Sequence, residues 1–129
     1  MQDMNAAIEL LANDERVKFA YLFGSAARGE QNSLSDIDIA VFLREDCDPA
    51  DAKLDLLRRL IDSLRTDRID LVLLNRAPLP LAARVLRCRT VLADRDPFSR
   101  HRYESRIVRE YFDFSFVEES ILNRRFALG

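Results

Sequence analysis

Cysteine, histidine and long apolar runs are all scarce in this sequence of 129 residues. The two cysteines, Cys47 and Cys88, fit no metal-binding spacing, so we expect reduced thiols in a cytoplasmic protein; a disulfide between them is the alternative. No stretch approaches the roughly 18 apolar residues that a membrane-spanning helix needs. The N-terminal residues 1–4 also lack the basic start of a secretory signal. These absences predict a soluble cytoplasmic protein.

A basic surplus is missing as well. The chain has 20 basic and 22 acidic residues, a formal net charge of -2, whereas nucleic-acid-binding proteins usually carry clustered Lys and Arg. A nucleic-acid polymerase is therefore disfavoured. The only histidine, His101, lies in an Arg-rich segment without an activating partner and is predicted to be inert. The apolar content of 48% is ordinary for a globular protein, and the length suits one domain over residues 1–129.

Apolar periodicity predicts strands interleaved with helices. The predicted strands are 17–23, 36–43, 68–74 and 90–93, and the predicted helices are 5–13, a brief turn at 25–28, 49–65, 78–87 and about 97–126. The strand at 68–74 is apolar on both faces, which predicts a central position in the sheet. The fold class is α/β (α+β): a mixed sheet of about four strands flanked by helices, with its core in about residues 5–95 and a long C-terminal helix.

Paired carboxylates stand at the start of the second predicted strand. Asp36 and Asp38 are two residues apart, so both side chains leave one face of the strand, about 7 Å from each other. Like charges repel and burial raises their pKa values, a cost that a divalent cation between them removes. Oxygen-only ligands favour magnesium or manganese over zinc. If Asp70 lies on a neighbouring strand, three carboxylates converge, as in two-metal phosphoryl-transfer sites.

The turn after the first predicted strand supplies a different chemistry. Gly24 lets a phosphate approach the backbone without a Cβ clash. Ser25 opens a helical turn whose free N–H groups and hydroxyl suit a phosphate, and Arg28 on the same turn can clamp a terminal phosphate. Ten residues separate Gly24-Ser25 from Asp36. Phosphate binding at one end and metal binding at the other are what nucleotidyl transfer from a triphosphate requires.

Gly-Ser, ten residues, Asp-x-Asp and a third Asp in a later strand together resemble the polymerase-beta-like nucleotidyltransferase superfamily. The segments Leu22–Gly29 and Ser35–Val41 resemble its minimal branch, the MNT-type proteins, which are the antitoxins of HEPN/MNT toxin–antitoxin pairs. The similarity covers about residues 5–95. The predicted C-terminal helix, with Tyr111-Phe112-Asp113-Phe114, is also similar to that branch.

The resemblance implies a role for each residue of the motif. Asp36 and Asp38 would bind two magnesium ions, and Asp70 would hold the catalytic metal and help to deprotonate the attacking hydroxyl. The residues that would bind the phosphates of ATP are Gly24, Ser25 and Arg28. The acceptor would be a tyrosine hydroxyl of the cognate HEPN ribonuclease toxin, which AMP transfer silences. Catalysis would then consist mostly of positioning and charge neutralisation.

Each assignment has a simpler alternative. Asp36 and Asp38 could cap a solvated strand end, Asp70 could pair with Arg68 or Arg65, and Arg28 could be a surface charge. At the level of function, the alternatives are a non-catalytic antitoxin that sequesters the toxin and a nucleotidyltransferase acting on a small molecule.

The C-terminal helix predicted at about 97–126 carries a broad apolar and aromatic stripe. The stripe comprises Tyr103, Ile107, Val108, Tyr111, Phe112, Phe114, Phe116, Val117 and Ile121. One interpretation is that all of it packs on the protein's own sheet. Its breadth favours a second interpretation, in which part of it docks a partner chain, since interfaces are enriched in Tyr and Phe.

Overall fold

The computed structural model describes residues 4–25, 27, 29 and 36–111. Its elements are α1 (Asn5–Asn13), β1 (Val17–Phe23), β2 (Ile37–Leu43), α2 (Pro49–Leu64), β3 (Ile69–Leu73), α3 (Leu79–Arg87), β4 (Arg89–Asp94) and a helix over residues 97–111, here α4. Their order and bounds confirm the predicted strands and the predicted helices 5–13, 49–65 and 78–87 to within one or two residues. The C-terminal helix predicted at about 97–126 begins at residue 97, and its part beyond residue 111 lies outside the described residues. No helix in these described ranges is long and apolar enough to cross a bilayer.

The four strands form one mixed sheet in the order β3-β2-β1-β4. β1 is antiparallel to both β2 and β4, whereas β2 and β3 are parallel. The prediction of a mixed sheet is confirmed, but the central position predicted for β3 is wrong, because β3 is an edge strand. It is apolar on both faces because helices cover both faces even at this edge: Leu71 packs in one core cluster and Val72 against the other.

Helices cover the sheet on both faces. On one face, α1 and α2 bury Leu11, Leu56 and Leu60 against Ile39 and other residues of the sheet. On the opposite face, α3 and α4 contribute the residues that pack against Phe19, Tyr21, Phe23 and Ala40: Ala82, Val85, Leu86, Tyr103 and Ile107. The alternation of side chains along each strand therefore sorts its residues between two cores.

Local signals set the ends of α2. The Asp48 carboxylate accepts hydrogen bonds from the N–H groups of Ala50 and Asp51, at 3.0 and 3.4 Å, and Pro49 occupies the first turn. Arg65 ends the helix in the left-handed conformation with φ 55°.

One face of α2 packs into the core. Ala52, Leu56, Leu60 and Leu64 are buried, whereas Leu54 is 59% exposed although it is apolar. The buried stripe runs at intervals of four residues, as on one face of a helix.

A polar network joins α4 to the sheet. The buried Tyr21 hydroxyl donates to Glu104 at 2.7 Å, and burial raises the pKa of Tyr21, so this hydroxyl remains a donor. Arg89 and Arg100 also contact Glu104, at 3.0 and 3.3 Å, and Arg100 lies 3.0 Å from Asp94. These contacts, together with the burial of α4 side chains in the second core, fix the first turns of α4 on β1 and β4.

Candidate active site

One end of the sheet carries a row of four side chains, one from each strand. In the pairing register, Asp70 of β3 lies beside Asp38 of β2, Asp38 beside Phe23 of β1, and Phe23 beside Arg89 of β4. We call this the site row. Registered neighbours project from the same face of a sheet, and Phe23 identifies that face as the one covered by α3 and α4.

Asp38 and Asp70 lie side by side as register partners, and no ion pair joins either carboxylate to another described residue. Asp38 is half-buried, and its pKa is raised, first by burial and then by the negative charges of Asp70 and Asp36. The positive charge of Arg84 opposes this rise. A nearby cation offsets both the burial of Asp38 and the repulsion from its negatively charged neighbours. The arrangement is therefore suited to binding a cation.

Gly24 connects this carboxylate pair to the turn after β1. Its φ is +72°, a left-handed conformation that glycine adopts readily. A Cβ built on Gly24 would overlap Oδ2 of Asp38 and lie 3.4 Å from its Cγ. A side chain at this position would therefore displace Asp38. The structure thus brings the turn and the carboxylate pair into direct contact, across a separation of 14 positions in the sequence.

The rest of the predicted phosphate-binding segment is described in part. Gly24, Ser25, Ala27 and Gly29 lie in turns, so these four residues do not show the brief helix that was predicted. Ser25 is half-buried next to Gly24. Arg28 lies outside the described residues.

Asp36 lies immediately before β2 and is exposed. Its Oδ1 is 3.9 Å from Nε of Arg68, and the Ile37 N–H bonds to the Arg68 carbonyl at 2.8 Å. The simpler alternative paired Arg68 with Asp70, but in the structure Arg68 contacts Asp36. Within the part of the chain that the structure describes, Asp70 makes no ion pair with Arg65 or Arg68.

The predicted convergence of three carboxylates is incomplete in this geometry. Among the described residues, no group of three or more His, Cys, Asp or Glu side chains is close enough to hold a metal ion. Asp38 and Asp70 are register partners, whereas Asp36 contacts Arg68. Repulsion between like-charged carboxylates favours the pairing of the exposed Asp36 with Arg68. The donor set fits a divalent ion in its chemistry, because carboxylate oxygens are the ligands that magnesium prefers.

Arg84 is the residue near the site that the sequence did not indicate. It lies in the last turn of α3, a helix that the sequence presents as a packing element. The short connection between α3 and β4 could be predicted from the sequence, whereas the position of β4 in the site row could not. Recognising it required the strand order, which sequence periodicity does not provide.

The motif and its geometry agree with a match to known proteins. The family model described as "Polymerase beta, Nucleotidyltransferase" matches residues 5–98. This chain belongs to that nucleotidyltransferase family.

Within the family, the similarity points to one branch. The chain is 39% identical over 83 residues to the protein adenylyltransferase MntA of Shewanella oneidensis, a match that covers 64% of this chain. It spans about 58% of the length of that curated relative. The predicted resemblance to MNT-type antitoxins is confirmed at this level.

Solved structures support the same branch. One is a crystal structure of a toxin–antitoxin with AMP-PNP, with a TM-score of 0.75, 29% identity, and coverage of 94% of this chain and 96% of that one. A second is a tri-AMPylated Shewanella oneidensis HEPN toxin in complex with an MNT antitoxin, with a TM-score of 0.67, 27% identity, and coverage of 95% and 97%. The predicted nucleotidyltransferase fold is confirmed.

Proposed function

We propose that this protein is an antitoxin that transfers AMP from ATP to a hydroxyl, a tyrosine of a cognate HEPN ribonuclease toxin, in a magnesium-dependent reaction. The observation that carries the proposal is the contact between the Gly24 turn and Asp38, itself the register partner of Asp70. This arrangement brings a backbone suited to phosphate next to two neighbouring carboxylates, whose oxygens suit magnesium. The relatives named as an adenylyltransferase and as antitoxins in toxin complexes support the same activity.

Each residue of the motif has a role in this reaction. Asp36, Asp38 and Asp70 would hold two magnesium ions, which when bound supply charge neutralisation for the triphosphate and the attacking hydroxyl. Asp70 would also help to remove the proton from that hydroxyl. The residues assigned to the phosphates are Gly24, Ser25 and Arg28.

The geometry explains why Gly24 and Asp38 must act together. Gly24 has no Cβ, so its backbone can contact both the Asp38 carboxylate and a phosphate. A phosphate bound at this turn would then lie next to the proposed metal ligands. Such positioning is the main contribution that a protein makes to phosphoryl-type transfer.

We also propose that α4 docks the toxin. Tyr103 and Ile107 are buried on the protein's own sheet, so the predicted stripe does not all face a partner. On the outer side, Phe98 is 71% exposed and Val108 is 61% exposed. Arg102 stacks on Phe98, with Cζ 5.8 Å from the ring centroid. Exposed aromatic and Arg side chains are typical of interface residues. Residues 112–126 of the predicted docking helix lie outside the described ranges.

Label transfer tests the enzymatic proposal. The protein is incubated with magnesium, labelled ATP and a purified HEPN-type toxin encoded beside it, and the toxin is recovered by denaturing electrophoresis. We expect the wild type to label the toxin and Asp36→Asn and Asp38→Asn to lose most of the label. Unlabelled toxin with a wild type that binds it, or an Asp36→Asn variant equal to the wild type, would contradict the proposal.

Sequestration without catalysis is the second candidate, and the exposed Phe98 and Val108 favour it because docking alone requires such a surface. An Asp36→Asn, Asp38→Asn double variant that still protects cells, together with loss of protection in a Phe98→Ser, Val108→Ser variant, would support it. A small-molecule acceptor remains the other alternative, and adding candidate acceptors to the same label-transfer assay tests it. The unpaired thiols of Cys47 and Cys88 are consistent with the cytoplasmic location that we propose.

A further inference from the structure

The end of α3 lies at the site row. Ala82, Val85 and Leu86 of α3 pack in the same core cluster as Phe23 and Ala40, on the face from which Asp38 projects. α3 ends at Arg87, and after one residue β4 begins at Arg89, the register partner of Phe23. The last turn of α3 is therefore placed beside the carboxylate pair by both packing and connectivity.

Two arginines occupy this last turn, Arg84 and Arg87. Both are exposed, and neither side chain makes an ion pair or hydrogen bond with another residue in the described ranges. They differ in their place on the sheet: α3 connects β3 to β4, the two edge strands, so Arg84 comes one turn before Arg87 on the path across β2 and β1. The positive charge of Arg84 also acts to lower the pKa of Asp38. Either arginine can stabilise the C-terminal end of the helix dipole, so that role does not distinguish them.

We propose that Arg84 binds the phosphates of the triphosphate that leave as pyrophosphate. This inference rests on the proposed function. An arginine beside a metal-binding carboxylate would compete with the metal unless it had an anionic ligand of its own. The β- and γ-phosphates of ATP provide such a ligand, since guanidinium binds phosphate oxygens in a bidentate manner. Arg84 would then neutralise charge on the leaving group while the aspartates hold the magnesium.

The role requires a guanidinium at position 84 and not merely positive charge on α3. Arg87 is the matched control, since it has the same chemistry, exposure and helical turn. Arg84→Lys retains the charge but loses the bidentate geometry.

Binding measurements separate the phosphates from the rest of the nucleotide. The affinities of wild type, Arg84→Gln, Arg84→Lys and Arg87→Gln are measured by titration calorimetry for inorganic tripolyphosphate, ATP and AMP, each with magnesium. We expect Arg84→Gln to weaken tripolyphosphate and ATP binding by roughly tenfold to a hundredfold, the range for hydrogen bonds to charged groups. Its AMP affinity should stay within about twofold, Arg87→Gln should match the wild type, and Arg84→Lys should be intermediate.

The outcomes distinguish this inference from the proposed function. If the wild type binds both tripolyphosphate and ATP, and Arg84→Gln binds them no more weakly than the wild type or Arg87→Gln does, the role of Arg84 is overturned. The proposed function then stands. Equal losses for AMP and tripolyphosphate in Arg84→Gln would indicate a general structural effect and also overturn it. Wild type that binds neither ATP nor tripolyphosphate would overturn both. Melting temperatures of all variants verify folding, and Arg84→Lys provides the test if Arg84→Gln is unfolded.

Discussion

Replacing Gly24 with alanine tests the contact on which the site depends. The substitution has two separable effects. A non-glycine residue in the left-handed conformation costs about 1–2 kcal/mol, and the new Cβ would overlap Oδ2 of Asp38. The first effect acts on stability, whereas the second displaces the Asp38 carboxylate, a proposed metal ligand. We therefore expect a large loss of activity and only a modest loss of stability.

Gly29→Ala is the matched control. Gly29 has a φ of +74°, close to the +72° of Gly24, but a Cβ built on it meets no described atom within 4 Å. Both variants should lose about 1–2 kcal/mol of stability, roughly 3–10 °C in melting temperature for a domain of this size. Only Gly24→Ala should move Asp38, and a misplacement of about 1 Å in a reacting site can cost about a hundredfold in rate.

The assay measures kcat/KM for AMP transfer and the melting temperature of each variant. We expect Gly24→Ala to lose about a hundredfold in kcat/KM and Gly29→Ala to stay within a few fold of the wild type. Equal activities in the two variants would refute the argument, because the contact with Asp38 would then have no consequence. Asp38→Asn in the Gly24→Ala background should add little further loss, since both changes act on the same carboxylate.

Four further predictions concern stability. Asp48→Ala removes the cap of α2 and should cost about 1 kcal/mol in denaturant unfolding, while Asp48→Asn should retain most of it. Tyr21→Phe removes the buried hydroxyl that donates to Glu104 and should cost about 1–2 kcal/mol; an unchanged midpoint would contradict the importance of that bond. Burial raises the pKa of Glu104, but the hydrogen bond from Tyr21 and the charges of Arg89 and Arg100 lower it by more than burial raises it. The net pKa of Glu104 is therefore below its ordinary value of 4.5. Because the folded pKa is depressed, this stabilisation is present above about pH 4.5 and is lost as the pH falls through the folded pKa. Glu104→Gln should flatten the acid limb of a stability–pH curve. The pKa of Asp38 is raised in the folded state, so its ionisation opposes folding at neutral pH. Asp38→Asn should therefore raise the melting temperature of the metal-free protein and reduce AMP transfer.

Sequence reasoning reached the local elements because each has a local cause. Alternation of apolar residues predicts Val17–Phe23, and Pro49 at a first-turn position predicts the start of α2. The position of β3 could not be inferred in the same way. Two-sided apolarity reports that helices cover both faces, whereas an edge position depends on which strand pairs with which.

The same distinction between local and distant causes applies to the residues of the candidate site. The motif indicated Gly24 and Asp38 because their spacing follows from two strands and the segment between them. It indicated Asp70 as a third Asp in a later apolar strand. It gave no indication that Asp36 would contact Arg68, since that contact joins the start of β2 to the residue before β3. Arg84 also reaches the site only through the tertiary packing of α3. Contacts between distant segments are what the sequence pattern alone does not determine.

The central claim is AMP transfer at the site formed by the Gly24 turn, Asp38 and Asp70. Its most direct test compares ATP labelled at the α-phosphate with ATP labelled at the γ-phosphate, using magnesium, the partner toxin and either wild type or Asp38→Asn. We predict that α-label appears on the toxin with wild type only and that γ-label is released as pyrophosphate. Transfer of γ-label to the toxin, or α-labelling that Asp38→Asn leaves unchanged, would contradict the account.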